Sequence, residues 1–242
     1  ALTGIQIFKL LPKTNCKECG FPTCLAFAMS LAQGKTELEK CPYVSDDAKA
    51  QLSEESAPPI RTVQIGTGDA ALKVGGETVL FRHEKTFFNP TGIALMVKDT
   101  DDGAQVDEKL QRAKELVYDR VGLTLKADMV CCKCESGDAD KYLALVNKAK
   151  ETGLALILVA DGDPLKKAVD AVKDQKPLIY GATASNADEM GALAKECGCP
   201  LAVKTDNLDT MPDLTKKLVG AGLKDLVMDF GSRTMKQSFQ DH

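Results

Sequence analysis

From residue 92 onward the sequence repeats one pattern, a short apolar run followed by an amphipathic stretch, and this alternation constrains the fold more than any other feature. The apolar runs are GIALMVKD (92–99), KADMVCCK (126–133), ALILVAD (155–161), PLIYGAT (177–183), PLAVKTD (200–206) and DLVMDFG (225–231). Strands that are apolar almost throughout belong to sheets buried on both faces, which means a parallel sheet covered by helices. The intervening stretches, VDEKLQRAKELVYDRV (106–121), ADKYLALVNKAKETG (139–153), DPLKKAVDAVKDQ (163–175), ADEMGALAKECG (187–198) and MPDLTKKLVGAG (211–222), predict helices. Apolar residues recur there three and four apart, and several of the stretches stop at a Gly. A regular strand-to-strand spacing of about 22 to 34 residues favours a TIM-type (β/α) barrel over a doubly wound sheet. Eight strands close such a barrel, whereas six βα units are present and the chain stops within SRTMKQSFQDH. The expected class is α/β with an incomplete barrel, in a fragment of a longer polypeptide. An open six-stranded sheet, which needs no missing part, is the alternative.

Upstream of the repeat lies CKECGFPTC and then Cys41–Pro42, a spacing of C-x2-C-x4-C-x16-C. Four thiolates from a tight loop and one distant position can surround a cubane from several directions. Gly20 allows the backbone to reverse close to inorganic sulfide, and Pro22 stands where a first helical turn should begin. Cys24 then falls in the first turn of a helix through LAFAMSLAQ that stops at Gly34, and its positive end, with unpaired N–H groups, would face an anionic cluster. Cys41 closes the nest, and a Cys–Pro ends many iron–sulfur ligand runs. Structural zinc also takes four thiolates, but its sites usually pair two C-x2-C knuckles and this chain has one. The candidate ligands of a [4Fe–4S] cluster are therefore Cys16, Cys19, Cys24 and Cys41. Lys13 and Lys17 could tune its potential, or simply be solvated.

The polar SEESAPPI segment, with Pro58–Pro59, ends this first part of the chain. RTVQIG (61–66), ALKVGG (71–76) and TVLFRHEKTFF (78–88) are short β-prone runs divided by glycines, a hairpin or small meander acting as a lid or plug. The expected organisation is a cluster domain over 1–57, a linker and meander over 58–91, and the partial barrel over 92–242.

Other residues carry weaker signals. Cys131, Cys132 and Cys134 end the second strand on the face where barrels place their chemistry, yet lack a nearby fourth ligand and read as buried thiols. Cys197 and Cys199 read as packing. Asp99, Asp161 and Asp206 end strands and could bind substrate or move protons at the barrel mouth; Asp163 and Asp209 read as helix N-caps. His83 and His242 have no visible partner. Nine cysteines in three groups do not form a disulfide framework. A net charge of −4 without a basic block argues against nucleic acid. LALILVA (154–160) is far short of the roughly 20 residues that span a bilayer, and Lys9 and Lys13 do not fit a signal peptide. A cytoplasmic protein that binds neither nucleic acid nor membrane is expected.

With this nest, PPIRTVQIG and GGETVLFRHEKTFFNPTGIAL in place, the chain closely resembles the large (gamma) subunit of corrinoid iron–sulfur proteins of the reductive acetyl-CoA pathway and its archaeal relatives. The cysteine pattern alone also occurs in electron-transport complexes of the Rnf type; its join to VLFRHEKTFFNP and a βα repeat singles out the methyl carrier. The resemblance implies a cluster domain, a methyltransferase-like barrel and a C-terminal corrinoid domain, with Cys16, Cys19, Cys24 and Cys41 matching the cluster ligands one by one. The corrinoid site is then expected beyond residue 242. It further implies a carrier more than a catalyst in its own right. Co(I) takes a methyl group from methyltetrahydrofolate through a methyltransferase, and the group passes to acetyl-CoA synthase/CO dehydrogenase. The cluster returns the electron when cobalt slips to Co(II), and a small subunit completes a heterodimer. The alternatives are an electron-transfer module of the Rnf or ferredoxin type, and a pterin-binding methyltransferase using Asp99, Asp161 or Asp206.

Overall fold

The computed structural model describes residues 3–32, 36, 38–45, 48, 49, 52, 60–76 and 89–241. Its contacts divide the chain into a smaller unit, built from the described residues up to Arg61, and a larger one from Thr62 onward.

The smaller unit opens with helix α1 (Gly4–Leu10), which the sequence reading did not anticipate. Thr3 and Gln6 form a reciprocal cap: the Thr3 hydroxyl accepts from Gln6 N at 3.4 Å and Gln6 Oε1 accepts from Thr3 N at 2.8 Å. Helix α2 (Cys24–Ala32) packs against α1 so closely that a Cβ at Gly4 would collide with Met29. Ile7, Leu11, Phe27, Ala28, Val44 and Leu52 form one buried cluster with Cys24 and Cys41, and Phe21 meets Phe27 edge-on at 5.5 Å. A core this small gives little hydrophobic stabilisation, so a bound cluster would add materially to it. The helix stop at Gly34 and the linker over 53–59 lie outside the described residues.

In the larger unit, β1 (Val63–Ile65) and β2 (Leu72–Val74) form an antiparallel hairpin. The chain then runs β3 (Ala94–Lys98), α3 (Gly103–Glu115), a second hairpin of β4 (Val117–Arg120) and β5 (Leu123–Lys126), and β6 (Met129–Lys133). It continues through α4 (Ala139–Lys150), β7 (Ala155–Val159), α5 (Gly162–Val172), β8 (Leu178–Ala182), α6 (Ala187–Cys197), β9 (Leu201–Lys204), α7 (Met211–Gly220), β10 (Leu226–Asp229) and α8 (Met235–Asp241).

Six of these strands form one parallel sheet in the order β3-β6-β7-β8-β9-β10, the order of the chain itself. A doubly wound sheet reverses direction at a switch point, and this one does not. Right-handed crossovers that always advance the same way place every helix on one face, as in a barrel wall. One large core accordingly joins that face (Val97, Val130, Cys132, Leu156, Leu158, Ile179) to α3 through α7. Tyr142 of α4 is fully buried there, its hydroxyl donating to the Cys132 carbonyl at 2.9 Å.

The opposite face is covered at one end by the β1–β2 hairpin. Val63 and Ile65 pack on Met129, Ala155, Leu178 and Ala202, which are first or second residues of their strands. The hairpin therefore plugs the N-terminal end of the inner face, held by Gly66 N donating to the Lys176 carbonyl at 2.9 Å. The third expected run, 78–88, and with it His83, lies outside the described residues, as does His242.

One expected element is wrong. The helix proposed for 106–121 ends at Glu115, and Val117–Arg120 pairs with Leu123–Lys126 instead. Val117, Tyr118 and Val121 are β-branched or aromatic and lose rotamer freedom in a helix. Val121 and Gly122, at φ 52° and 78°, make the two-residue turn between the strands.

Candidate metal centre

The four cysteines of the nest come from a loop and two flanking elements of the smaller unit. Cys16 is exposed and Cys19 half-buried, on the loop before α2; Cys24 is the first residue of α2; Cys41 is buried just after a short 3-10 turn (Leu38–Lys40). All four are free thiols.

The loop has an unusual backbone. Lys13, Asn15 and Lys17 all take positive φ (59°, 49° and 67°), followed by Gly20 at 83°. Residues in this left-handed region set among ordinary ones turn successive N–H groups inward, the geometry of an anion-binding nest. Such strain at bulky residues is uncommon and clusters at functional sites. A Cβ at Gly20 would meet nothing within 4 Å, so glycine serves there for its φ and not for a crowded neighbour.

The first turn of α2 differs from expectation. Three of its N–H groups have acceptors: the Thr23 hydroxyl accepts from Ala26 N at 3.1 Å, the Thr23 carbonyl accepts from Phe27 N at 3.1 Å, and Asn15 Oδ1 accepts from Cys24 N at 2.8 Å. The helix dipole still orients its positive end there. Asn15 N in turn donates to Cys24 Sγ at 3.4 Å. At the far side, Tyr43 donates to Glu18 Oε1 at 3.0 Å, tying the segment after Cys41 to the Cys16–Cys19 loop. That bond, with Cys16 and Cys41 among the neighbouring charges, pushes the Tyr43 hydroxyl pKa up. Lys13 lies over the Phe8 ring at 5.7 Å.

Among the described residues, no three or more His, Cys, Asp or Glu side chains stand close enough to hold a single metal ion, the four nest cysteines included. Cys131 and Cys132 point to opposite faces of β6, as alternation along a strand requires, and both are buried. Burial pushes Cys131 up to about 11, pushes Cys132 higher still, and takes Cys199 to about 11. Cys134 donates to Asp99 Oδ2 at 3.3 Å. Cys131, Cys132 and Cys199 are buried thiols, as read from the sequence, whereas Cys134 is half-buried and lies one residue past β6.

Two of the three strand-end aspartates fasten loops. Asp99 accepts from Glu135 N at 2.7 Å, from Ser136 N at 3.1 Å and from the Ser136 hydroxyl at 2.5 Å. Asp161 accepts from Asn186 Nδ2 at 2.8 Å, and the Asp206 carboxylate abuts Gly231, leaving no room for a Cβ there. Asp99 and Asp161 each join their own βα unit to the next one along the sheet, and Asp206 lies against the next one. Asp163 and Asp209 are not N-caps: Asp161 holds that position for α5, and Asn207 caps the turn containing Asp209. Asp138, unnoticed in the sequence, caps α4 by accepting from Asp140 N and Lys141 N.

Burial would raise the Asp99 pKa, but bonds from Ser136, Glu135 and Cys134 hold it below 3.8. A depressed carboxylate stabilises above its unfolded pKa, and that contribution is lost as pH falls through the folded value. Asp99→Asn offers one acceptor oxygen fewer, and its amide exchange at Glu135 and Ser136 is expected to be roughly tenfold faster at neutral pH. Acidifying the wild type below the ordinary aspartate range should lower the protection of the same amides, taken relative to intrinsic exchange at each pH, and unchanged protection in both would refute it.

Two polar groupings at the C-terminal mouth escaped sequence reading because their members lie on different strands and loops. Lys133 and Lys98 both pair with Glu135, at 2.6 and 3.1 Å, which holds that carboxyl at about 2. The Tyr180 hydroxyl donates to Asp229, which also receives Arg233 Nη2 at 3.1 Å. Burial and Asp229 carry Tyr180 to about 12.

Comparison with known proteins bears on both units. Residues 62–241 match the family model of the CO dehydrogenase/acetyl-CoA synthase delta subunit, and residues 11–43 match a model described as "Putative Fe-S cluster". The corrinoid/iron-sulfur protein large subunit of Moorella thermoacetica is 45% identical over 99% of this chain and 54% of its own length. The gamma subunit of the acetyl-CoA decarbonylase/synthase complex of Archaeoglobus fulgidus is 40% identical over 93% of the chain and 50% of its own length. Gamma subunit 2 of that complex from Methanosarcina thermophila is 38% identical over 98% and 52%. The chain thus spans about half the length of the curated relatives it matches. No helix among the described residues is long and apolar enough to cross a membrane.

Proposed function

The chain belongs to the CO dehydrogenase/acetyl-CoA synthase delta subunit family, and from that membership we propose that it is part of the large subunit of a corrinoid iron–sulfur methyl carrier. The observation that carries the reading is the join, in one chain, of a four-cysteine loop inside a matched iron–sulfur segment to a barrel wall inside the matched family segment. In this reading the carrier takes a methyl group from methyltetrahydrofolate through a methyltransferase and delivers it to acetyl-CoA synthase.

Cys16, Cys19, Cys24 and Cys41 would hold a [4Fe–4S] cluster. Four free cysteines are the donor set that such a cluster takes as thiolates, and the left-handed residues of the loop have the φ of an anion-binding nest, which suits its negative charge. When bound, the cluster supplies one electron at low potential, which returns corrinoid cobalt from Co(II) to Co(I). The residues of the smaller unit hold the thiolates, orient their hydrogen bonds and leave the Cys16 side open to an electron donor.

None of the described residues is assigned to the corrinoid, whose binding we place in the part of the relatives that this chain does not span. The proposed partners are a small subunit that completes a heterodimer, the methyltetrahydrofolate methyltransferase and the acetyl-CoA synthase/CO dehydrogenase, in the cytoplasm.

Anaerobically prepared protein is expected to contain about four irons and four sulfides per chain and to give an EPR signal on reduction. Stoichiometric zinc without sulfide would refute the proposal.

A further inference from the structure

The geometry points to Asn15 as the residue that positions Cys24 for the cluster, a role that rests on the iron–sulfur reading above. Two bonds join the same pair of residues across nine positions of sequence: Asn15 Oδ1 takes Cys24 N–H at 2.8 Å, and Asn15 N–H reaches Cys24 Sγ at 3.4 Å. Thr23, the residue before α2, serves Ala26 and Phe27, so the Cys24 N–H is the one that Asn15 supplies with an acceptor. The loop that leads into Cys16 is thereby pinned to the helix that carries Cys24.

The residue type is needed twice. Asn15 has φ 49°, and asparagine tolerates the left-handed region better than most side chains with a Cβ. Its side-chain oxygen is also the acceptor for an otherwise orphaned N–H at the helix start. Donation of a backbone N–H to a ligand sulfur stabilises added negative charge there, which is how an outer group tunes a metal site and fixes its ligand. Cys24 is consequently oriented before any iron arrives.

Two variants separate these roles in the anaerobically prepared full-length protein. Asn15→Gly keeps the left-handed φ and the N–H but removes the acceptor, whereas Asn15→Asp keeps the acceptor and tolerates the same φ. Iron and sulfide content, the rate of iron release to excess chelator, and an EPR-monitored redox titration are the readouts. Asn15→Gly is expected to release iron about fivefold faster, the factor for losing one intramolecular hydrogen bond, or to assemble no cluster at all. Asn15→Asp is expected to assemble the cluster, release iron at the wild-type rate, and show a lower midpoint potential because its charge lies beside an anionic cluster. Wild-type release by Asn15→Gly, or failure of Asn15→Asp to assemble the cluster, would overturn the assignment. Zinc or no metal in the wild type would instead refute the iron–sulfur reading itself.

Discussion

Replacing Cys24 by Ala is expected to leave a folded protein without an intact [4Fe–4S] cluster. The thiolate is one of four proposed ligands, and its loss also removes the acceptor of the Asn15 N–H. The larger unit, which carries none of the ligands, should keep its fold, whereas the smaller unit loses the stabilisation that the cluster lends its small core as well as the sulfur itself. Cys24 is 6% exposed among Ile7, Phe27 and Leu52, and removing one buried sulfur costs on the order of 1 kcal/mol. In the full-length assembly, reductive activation of the corrinoid should then be abolished, while methyl transfer from pre-reduced Co(I) proceeds at the wild-type rate. The split follows from the proposed task of the cluster, which is repair of an oxidised cobalt and not part of each methyl transfer. Iron analysis and the two activity assays check it. Loss of both activities together would mean that the small unit is structural.

Periodicity made the larger unit legible. Each of the six predicted strands overlaps a strand of the sheet, because runs such as ALILVAD are buried on both faces and leave no room for another reading. The failures have a common cause in chemistry that periodicity does not record. The segment after Glu115 keeps a helical spacing of apolar residues, yet its Val and Tyr favour the extended chain and Gly122 supplies the turn. Asp163 and Asp209 looked like caps, but the cap positions, Asp161 and Asn207, lie two residues upstream, the second opening a 3-10 turn before α7. Asp99, Asp161 and Asp206 were correctly placed at strand ends, but their partners sit in the next βα loop, about 25 to 37 residues away, a relation visible only after folding.

The nest divides in the same way. Its four cysteines and Gly20 stand out by spacing, whereas Asn15 looks like an ordinary loop residue. Its role depends on a positive φ at a non-glycine position and on bonds to a helix nine residues away. Neither leaves a mark in composition. The same holds for Lys13 and Lys17, which read as solvated charges or tuning groups and take the same left-handed φ as Asn15 in the structure.

Residues 1–242 expressed alone are expected to self-associate, for a reason that lies in the edges of the sheet. Among the described residues β3 pairs only with β6 and β10 only with β9, so each presents an unpaired row of backbone N–H and C=O groups. Natural edges are blunted by charge, proline, bulges or a covering element. Here β3 carries a charge only at Lys98 and β10 only at Asp229, each at its final residue. The side chains beside these edges are exposed as well: Met96, on the inner face, at 48% and Met228, on the helix face, at 55%. Equivalent positions further into the sheet, such as Cys131 beside Met96 and Val203 beside Met228, are buried. Two further βα units would pair both edges and close the barrel. Sedimentation and thermal unfolding of the 242-residue polypeptide should therefore show concentration-dependent association, relieved when the remaining barrel segment is supplied as a separate piece. A monomer that unfolds cooperatively and reversibly would show that six strands already make a complete fold, and the barrel reading would fall with that result.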